Sequence, residues 1–294
     1  MRRLIIGCGY LGRRVAARWV KRGDEVFALT RSKQNAATLC DLGVSSLLGD
    51  VTDPASLNSL PECDTVLHAV GFDRSAIASK REVYVDGLSN VLNRMADRCG
   101  RFIHISSTSV YGQQDGEWVD ENSLAGSETE SGEICIAAEK LVLDRFSNDA
   151  TSGQGTVLRL SGIYGPDRLL SRIDALKNAQ PLPGPEEGWL NLIHVDDAAD
   201  VVVACAEAGN LESIYLVSDD RPILRGEYYR LLAKLVAAPE PMFDPDAVAR
   251  HSRGINKRCR NRRLREQLGV QLRYPDIVSG LAHAVNSSAT LQGQ

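Results

Sequence analysis

Short apolar runs alternate along the chain with segments in which apolar residues recur every three or four positions. The short runs predict buried strands, and the longer spacing predicts amphipathic helices that pack on a sheet. The strands predicted up to residue 160 are 2–6, 25–30, 44–48, 65–69, 101–106 and 156–160. The helices predicted between them are 10–21, 33–41, 54–60, 75–98 and 133–146, with a polar loop at 113–132. This alternation predicts an α/β fold with a doubly wound, mainly parallel sheet.

A glycine-rich turn joins the first strand to the first helix. It reads Gly7-Cys8-Gly9-Tyr10-Leu11-Gly12 and fits the pattern G-x-G-x-x-G. The first glycine allows a tight turn, the second lets the backbone approach a pyrophosphate, and the third lets the helix pack closely on the strand. The amino end of the helix adds unpaired N–H groups and a positive dipole end. We therefore predict a dinucleotide site over 7–12 that includes Tyr10 and Leu11, and an ordinary glycine turn is the alternative.

The end of the second strand indicates which dinucleotide is bound. An NAD site commonly carries Asp or Glu there to bind the ribose 2′-hydroxyl. This chain reads Thr30-Arg31-Ser32-Lys33 and has no acid at that point. The planar, charged guanidinium of Arg31 is suited to a 2′-phosphate, with the Ser32 hydroxyl beside it. We therefore predict that the site binds NADP(H). The alternatives are that it binds NAD(H), or that the two cations lie on a solvated loop.

Beyond residue 166 the pattern is less regular. We predict helices at 168–178, 196–208, 226–236, 257–268 and 275–285, short strands at 191–194 and 214–217, and a loop at 180–188. The basic run 257–265 predicts a solvated helix face, or else a site for an anionic substrate or a cofactor phosphate. The expected domains are a nucleotide-binding unit over 1–166, with strand contributions from about 189–205, and a smaller unit over 167–294. Residues 287–294 are expected to form a frayed tail.

Composition and charge narrow the class of protein. The 294 residues are 43% hydrophobic and 24% charged, which is typical of a soluble globular protein with a sizeable core. The net charge of −4 provides no basic field for nucleic acid. The seven cysteines are scattered without a C-x-x-C pair, as in reduced cytoplasmic proteins rather than zinc sites or disulfide frameworks. We find no run that resembles a membrane helix or a signal peptide, so we expect a cytoplasmic protein without metal, membrane or nucleic-acid partners.

Five blocks of sequence, in this order, resemble the extended short-chain dehydrogenases/reductases, a family that includes NAD-dependent nucleotide-sugar epimerases and dehydratases. The blocks are 7–12, 49–50, 103–112, 159–166 and 193–197. The resemblance spans nearly the whole chain and implies a Rossmann domain with an intertwined C-terminal lobe that binds a small-molecule substrate. It also implies that Asp50 and Val51 lie near the adenine, and that Ala69, Val70 and Gly71 lie near the nicotinamide ribose.

The resemblance further implies catalysis by a Tyr-x-x-x-Lys pair on the helix after the long loop, with a Ser or Thr at the end of the fifth strand. The run Ile-Ala-Ala-Glu-Lys at 136–140 sets the register, which places Ser131 at the tyrosine position and Cys135 at the lysine position. Neither family residue is present, and no tyrosine of the chain has a lysine four residues later. Ser107 keeps the position of the catalytic serine, with Thr108 beside it. The fold therefore matches the family, but the site resembles its atypical members.

Without that pair the reaction needs another acid. A positioned general acid is worth roughly 10²–10⁴ in rate, and an unassisted serine hydroxyl is too weak. Tyr164, just after the sixth strand, is a candidate donor, and a structural tyrosine before Pro166 is the alternative. We expect His194 to orient or cap the following helix, Cys135 to be a packed thiol, and Glu139 to brace its helix.

Two functions of different classes remain. The first is hydride transfer between NADP(H) and a small carbonyl or sugar-like substrate, with Ser107 orienting the carbonyl. The proton would come from Tyr164, His194 or water. The second is a non-catalytic NADP(H)-binding sensor or regulatory protein, and a rearranged nucleotide-sugar epimerase or dehydratase is a third hypothesis. The apolar stripes on helices 75–98 and 133–146 allow a homodimer, as in relatives, or packing on the sheet. These stripes comprise Val91, Leu92, Met95, Ile134, Ala138, Leu141 and Val142.

Overall fold

The secondary structure comes from a computed structural model that describes residues 1–73, 75, 77–147, 153–247 and 256–288. The strands are β1 (Arg2–Ile6), β2 (Glu25–Thr30), β3 (Ser45–Leu48), β4 (Cys63–His68), β5 (Cys99–Ser107), β6 (Glu117–Val119), β7 (Gln154–Leu160), β8 (Gly162–Tyr164), β9 (Leu182–Pro183), β10 (Trp189–Leu190), β11 (Leu192–His194), β12 (Ile214–Val217), β13 (Ile223–Leu224), β14 (Phe243–Asp244) and β15 (Lys257–Cys259). The α-helices are α1 (Tyr10–Lys21), α2 (Lys33–Asp41), α3 (Gly87–Met95), α4 (Glu130–Ser147), α5 (Leu170–Lys177), α6 (Val195–Glu207), α7 (Arg225–Leu235), α8 (Arg262–Glu266) and α9 (Ile277–Asn286).

The central sheet has seven strands in the order β12-β7-β5-β4-β1-β2-β3. β1 lies between β2 and β4 and pairs with both in parallel, so Ile6 lies beside Leu29 on one side and His68 on the other. The chain fills one side of β1 first and then returns to fill the other. This reversal opens a crevice at the carboxyl ends of β1 and β4, which is where nucleotides bind in such sheets. The predicted doubly wound Rossmann fold is confirmed.

The chain divides into two compact units whose segments alternate in sequence. The first unit comprises Met1–Val110, Glu130–Arg159 and Ala199–Tyr215, and the second comprises Tyr111–Thr129, Leu160–Ala198 and Leu216–Gln294. The sequence predicts a first unit over 1–166 with strand contributions from about 189–205. In the second unit, β6 pairs with β15, β8 with β11 and β9 with β14 in parallel, and β10 pairs with β13 in antiparallel.

The core of the first unit forms where the apolar faces of α3 and α4 meet the sheet. Val66 on β4 and Phe102 on β5 contribute the sheet side of this cluster. The apolar stripes that could have formed a homodimer interface belong to the same unit. Leu141 packs partly buried against the cluster, Ile134 is buried, and the other five stripe residues are buried members of it. Packing within the chain therefore accounts for these stripes.

The prediction of a single helix over 257–268 is wrong. β15 runs parallel to β6 instead, and α8 begins only at Arg262. Lys257 and Cys259 point into the interior with 2% exposure each, which is the two-residue period of a strand, and the Lys257 ammonium donates to the carbonyl of Tyr111 at 3.1 Å. Between them, Arg258 lies over the ring of Trp118. The start of the basic run is thus packed rather than solvated.

Other elements depart from the prediction at their ends. A π-helical turn at Glu82–Asp86 precedes α3, so the helix predicted from residue 75 begins later. The predicted loop 113–132 contains β6 and the first turn of α4. Ser288 is buried and its hydroxyl accepts the N–H of Asp167 at 2.8 Å, which is not the behaviour of a frayed tail. Residues 289–294 of that predicted tail lie outside the described residues.

Six of the seven cysteines are buried, and Cys40 on α2 is exposed. Burial raises the pKa of Cys8 to about 12 and that of Cys63 to about 11. Among the residues that the structure describes, no helix is both long and apolar enough to cross a membrane.

Candidate nucleotide site

The glycine turn between β1 and α1 has one open position between two close-packed ones. Gly7 has φ +92°, and a Cβ there would lie 2.5 Å from the carbonyl oxygen of Ala69. A Cβ on Gly12 would lie 2.9 Å from the carbonyl oxygen of Gly7. A Cβ on Gly9 would meet nothing within 4 Å. The first and third glycines are therefore required by packing, whereas the second leaves backbone open to a ligand.

The amino end of α1 faces this opening without a side-chain cap. Gly9 occupies the capping position, and the first turn contains no acidic residue. Such a helix end carries a positive partial charge and N–H donors, which suit a pyrophosphate. Leu11 is buried, and the ring of Tyr10 lies under the Arg14 guanidinium at 4.2 Å.

The segment that follows β4 contacts the glycine turn. Ala69 donates its N–H to the carbonyl of Ile6 at 2.8 Å, and a Cβ on Gly7 would also lie 2.6 Å from the Cα of Val70. A Cβ on Gly71 would meet nothing within 4 Å. The segment 69–71 thus borders the same crevice as the glycine turn.

Arg31 at the end of β2 lies between two carboxylates that the local sequence did not reveal. Its guanidinium nitrogens lie 3.8 Å from a carboxylate oxygen of Asp50 and 3.4 Å from one of Asp73. Both pairs are partly exposed, and such pairs are worth at most about 1 kcal/mol. Ser32 caps α2 by accepting the N–H of Asn35 at 3.2 Å. An anion at Arg31 would therefore compete with weakly held carboxylates.

Arg13 is a further cation at this end of β2 that was not predicted from the sequence. Its guanidinium donates to the side-chain oxygen of Asn35, whose amide in turn donates to the Thr30 hydroxyl at 3.2 Å. Its Nε is buried and has no partner in the described part of the chain. The available signal was its position directly after the third glycine.

Asp50 and Val51 follow β3 and are fixed by neighbouring elements. A carboxylate oxygen of Asp50 accepts the N–H of Thr52 at 2.9 Å. Val51 is buried against Gly87, where a Cβ would lie 2.7 Å from the valine methyl, and its carbonyl accepts the Asn90 amide at 2.9 Å. The close approach of α3 therefore sets the position of this segment.

Ser107 ends β5 and Thr108 follows it. The Ser107 hydroxyl is half-buried and accepts the N–H of Ser109 at 3.1 Å, which leaves its own proton available to a ligand. Thr108 is buried. The Ser109 hydroxyl lies 3.8 Å from the sulfur of Cys135, and burial raises the pKa of that thiol. Cys135 is therefore placed as a packed thiol.

Position 131, where the family has tyrosine, is reached by a lysine from a different element. Lys80 donates a hydrogen bond to the Ser131 hydroxyl, and its ammonium lies 5.4 Å above the centre of the Tyr84 ring. The Tyr84 hydroxyl accepts the N–H of Phe72 at 3.0 Å. This group was not predicted from the sequence, where its signal is a lysine followed four residues later by a tyrosine, the reverse of the family order.

Tyr164 belongs to the second unit and lies in its hydrophobic core. Its ring is fully buried and packs edge-on against His194 at 5.1 Å between centroids. Its hydroxyl has no hydrogen-bond partner among the described residues, and burial raises its pKa above the usual range. This environment favours the structural role over proton donation.

His194 orients the start of α6, as expected. Its Nδ1 accepts the N–H of Asp196 at 3.1 Å, and its Nε2 lies 3.1 Å from Nδ1 of His283. In the described ranges these three residues form the one group with metal-ligand geometry, their ligand atoms lying within 4.8 Å of one another. The ring nitrogens of His194 are already used in this hydrogen-bond chain, so the arrangement is explained without an ion.

Gly280→Ala is expected to destabilise the second unit, although alanine favours helices over glycine. The new Cβ would lie 2.0 Å from the Tyr164 hydroxyl oxygen, at the end of a rigid ring. Overpacking of about 1–3 kcal/mol should outweigh the helix preference of about 1 kcal/mol. Urea unfolding measures the loss, and adding Tyr164→Phe should recover part of it, because the ring carbons would still lie 2.9 and 3.0 Å from the new Cβ. Unchanged stability would show that Tyr164 is not held against α9.

Comparisons with known proteins give a family model and several similar proteins. The model of the NAD dependent epimerase/dehydratase family matches residues 4–218. Protein YeeZ of Escherichia coli is 27% identical over 92% of this chain and 96% of its own. A 4-hydroxy-2-methyl-3-oxo-4-farnesyl-3,4-dihydroquinoline-1-oxide ketoreductase of Stigmatella aurantiaca is 28% identical over 77% of this chain and 70% of its own. The structure of a protein assigned to the NAD-dependent epimerases/dehydratases, from Methylobacillus flagellatus, is 33% identical, covers 97% of this chain and 98% of its own, and superposes with a TM-score of 0.77.

Proposed function

Because the chain belongs to the NAD dependent epimerase/dehydratase family, we propose that it is an oxidoreductase that transfers hydride between NADP(H) and a small carbonyl or sugar-like substrate. The observation that carries this proposal is the open backbone at Gly9, which lies between two glycines that packing requires and at the uncapped end of α1. A relative named as a ketoreductase supports reduction of a carbonyl.

The residues of the first unit suit each part of the nucleotide. The N–H groups at the start of α1 would hold the pyrophosphate, Asp50 and Val51 would border the adenine, and 69–71 would border the nicotinamide ribose. When bound, the nicotinamide supplies or accepts the hydride. Ser107 would orient the substrate by donating its hydroxyl proton in a hydrogen bond to the carbonyl oxygen, and the buried Thr108 would support that turn. Tyr164 is left out of this machinery because it is buried in the core of the second unit.

Arg31 would select NADP(H) over NAD(H). A 2′-phosphate carries about two negative charges and three acceptor oxygens, so it should bind the guanidinium more strongly than the exposed carboxylates of Asp50 and Asp73 do. Arg13 would add a second positive charge at the same turn. The carboxylates would then be released to solvent at little cost.

Arg31→Asp is expected to weaken NADPH binding at least tenfold, about 1.4 kcal/mol, and to leave NADH binding unchanged or stronger. Titration of the purified protein with each nucleotide, followed by nicotinamide fluorescence, measures both constants. Arg2→Asp is the matched control, because the Arg2 side chain is 47% exposed and that of Arg31 is 50% exposed. Equal NADPH affinity in the wild type and Arg31→Asp would remove Arg31 from the site. No binding of either nucleotide would overturn the proposed function.

A further inference from the structure

The position at which the family has tyrosine holds a serine, and a lysine donates a hydrogen bond to that serine. Ser131 lies in the first turn of α4 and accepts a hydrogen bond from Lys80, which is 51 residues earlier in the chain. Both side chains are half-buried. A serine hydroxyl is a weak acid by itself, but a neighbouring ammonium stabilises the alkoxide that forms when the hydroxyl gives up its proton.

Two neighbours hold Lys80 in place. The Ser131 hydroxyl accepts a hydrogen bond from its ammonium, and the ammonium lies 5.4 Å from the centre of the Tyr84 ring. Tyr84 is itself fixed, because its hydroxyl accepts the N–H of Phe72 at 3.0 Å. Among the described residues Lys80 has no carboxylate partner, so its charge is not cancelled by an ion pair.

This cluster borders the crevice of the nucleotide site. Phe72 directly follows the segment 69–71, whose first residue hydrogen-bonds β1 beside the glycine turn. On the other side, α4 carries Cys135 one turn after Ser131, and the Cys135 sulfur lies 3.8 Å from the hydroxyl of Ser109, two residues after Ser107. Lys80 and Ser131 thus lie in a cluster bounded by the ends of β4 and β5.

We propose that Lys80 and Ser131 replace the missing Tyr-x-x-x-Lys pair, with Ser131 as the proton donor and Lys80 as the group that activates and reprotonates it. This inference rests on the proposed hydride transfer. In carbonyl reduction, hydride from the nicotinamide forms a C–H bond at the carbonyl carbon. The Ser131 O–H bond breaks as its proton bonds to the substrate oxygen. Lys80 returns a proton to the serine oxygen and regains one from water, and oxidation runs the same steps in reverse.

Lys80→Met should lower kcat/KM for NADPH-dependent reduction of phenanthrenequinone, a generic carbonyl probe, by 100-fold or more. Ser131→Ala should give a similar loss, and the Lys80→Met/Ser131→Ala double variant should lose little more, because the two residues act as one unit. The matched control is Lys140→Met, since Lys140 lies on α4 with its side chain 75% exposed. NADPH binding by fluorescence should stay within threefold in Ser131→Ala. Full turnover in Lys80→Met with normal NADPH binding would overturn the inference and leave the proposed function standing.

A second measurement does not depend on turnover. Acetylation of lysines by an N-hydroxysuccinimide ester, read by mass spectrometry, should slow at Lys80 in the presence of NADP⁺ but not in the presence of adenosine 2′,5′-bisphosphate, which lacks the nicotinamide half. Lys140 should react equally in both cases. Equal acetylation of Lys80 with either ligand would place it away from the nicotinamide and overturn the inference even if no carbonyl probe is turned over. Failure of both ligands to bind would instead overturn the proposed function, and the inference with it.

Discussion

Glu139→Ala is expected to lower the free energy of unfolding by about 3–5 kcal/mol, because it removes the carboxylate that pairs with a buried cation. The Glu139 and Arg159 side chains are 4% and 5% exposed, and their closest contact is 2.7 Å. Arg159 Nε lies 3.1 Å from each carboxylate oxygen, and the Ser106 hydroxyl donates to one of them at 2.5 Å. The carboxylate therefore connects α4 to both β5 and β7, and its loss affects all three elements.

Urea unfolding of Glu139→Ala beside Asp144→Ala measures this effect. Asp144 lies on the same helix, and its side chain is 64% exposed, so its ion pair with Lys140 should contribute no more than about 0.5 kcal/mol. The double variant Glu139→Leu/Arg159→Met should recover most of the stability, since apolar residues of similar size remove both buried charges. A loss below about 1 kcal/mol in Glu139→Ala would contradict the burial of this pair.

Acidification from pH 7 to pH 5 is expected to destabilise the protein through two buried histidines. His68 on β4 and His104 on β5 lie with their Nδ1 atoms 3.1 Å apart. Burial lowers the pKa of both rings, that of His104 to about 4. Both are therefore neutral in the folded state but take up protons near pH 6.5 when unfolded. Stability is complete above about pH 6.5 and falls toward pH 4, by about 2 kcal/mol at pH 5 for His104 alone.

The measurement is urea unfolding at pH 7 and pH 5 for the wild type and for His104→Phe. The variant removes one titrating ring, whose centroid lies 5.2 Å from that of His68, so the difference in unfolding free energy between the two pH values should shrink by about 2 kcal/mol. Changes in exposed carboxylates are common to both proteins and cancel in the comparison. An equal pH dependence in the two proteins would show that His104 is not held neutral.

The sequence predicted those features that residues close in the chain determine. The bounds of β2 and α2 agree with the prediction because apolar residues, a capping serine and flanking polar residues mark them locally. The glycine turn could be predicted for the same reason, since six consecutive residues define it. By contrast, the strand β15 was hidden by its basic residues, because its burial depends on pairing with the distant β6.

The parts of the candidate site that the sequence did not predict all join distant residues. Arg31 meets Asp73 across 42 positions, and Lys80 meets Ser131 across 51. The strand order β4-β1-β2 brings the first pair together, and tertiary packing brings α4 to Lys80. No local periodicity records either arrangement. The absence of tyrosine and lysine at 131 and 135 was therefore visible, whereas the residue that reaches position 131 was not.

The distribution of cysteines gives the protein a chemical reporter of its own. Cys40 is the exposed thiol, and the other six thiols are buried. Burial raises the pKa of thiols such as Cys8 and Cys63, so little of the reactive thiolate forms there. A thiol-reactive dye should therefore attach to the folded chain at one place, on the helix that follows Arg31. Unfolding would expose the remaining thiols together. The mean number of dyes bound per chain would therefore report the fraction of unfolded molecules in the wild-type protein.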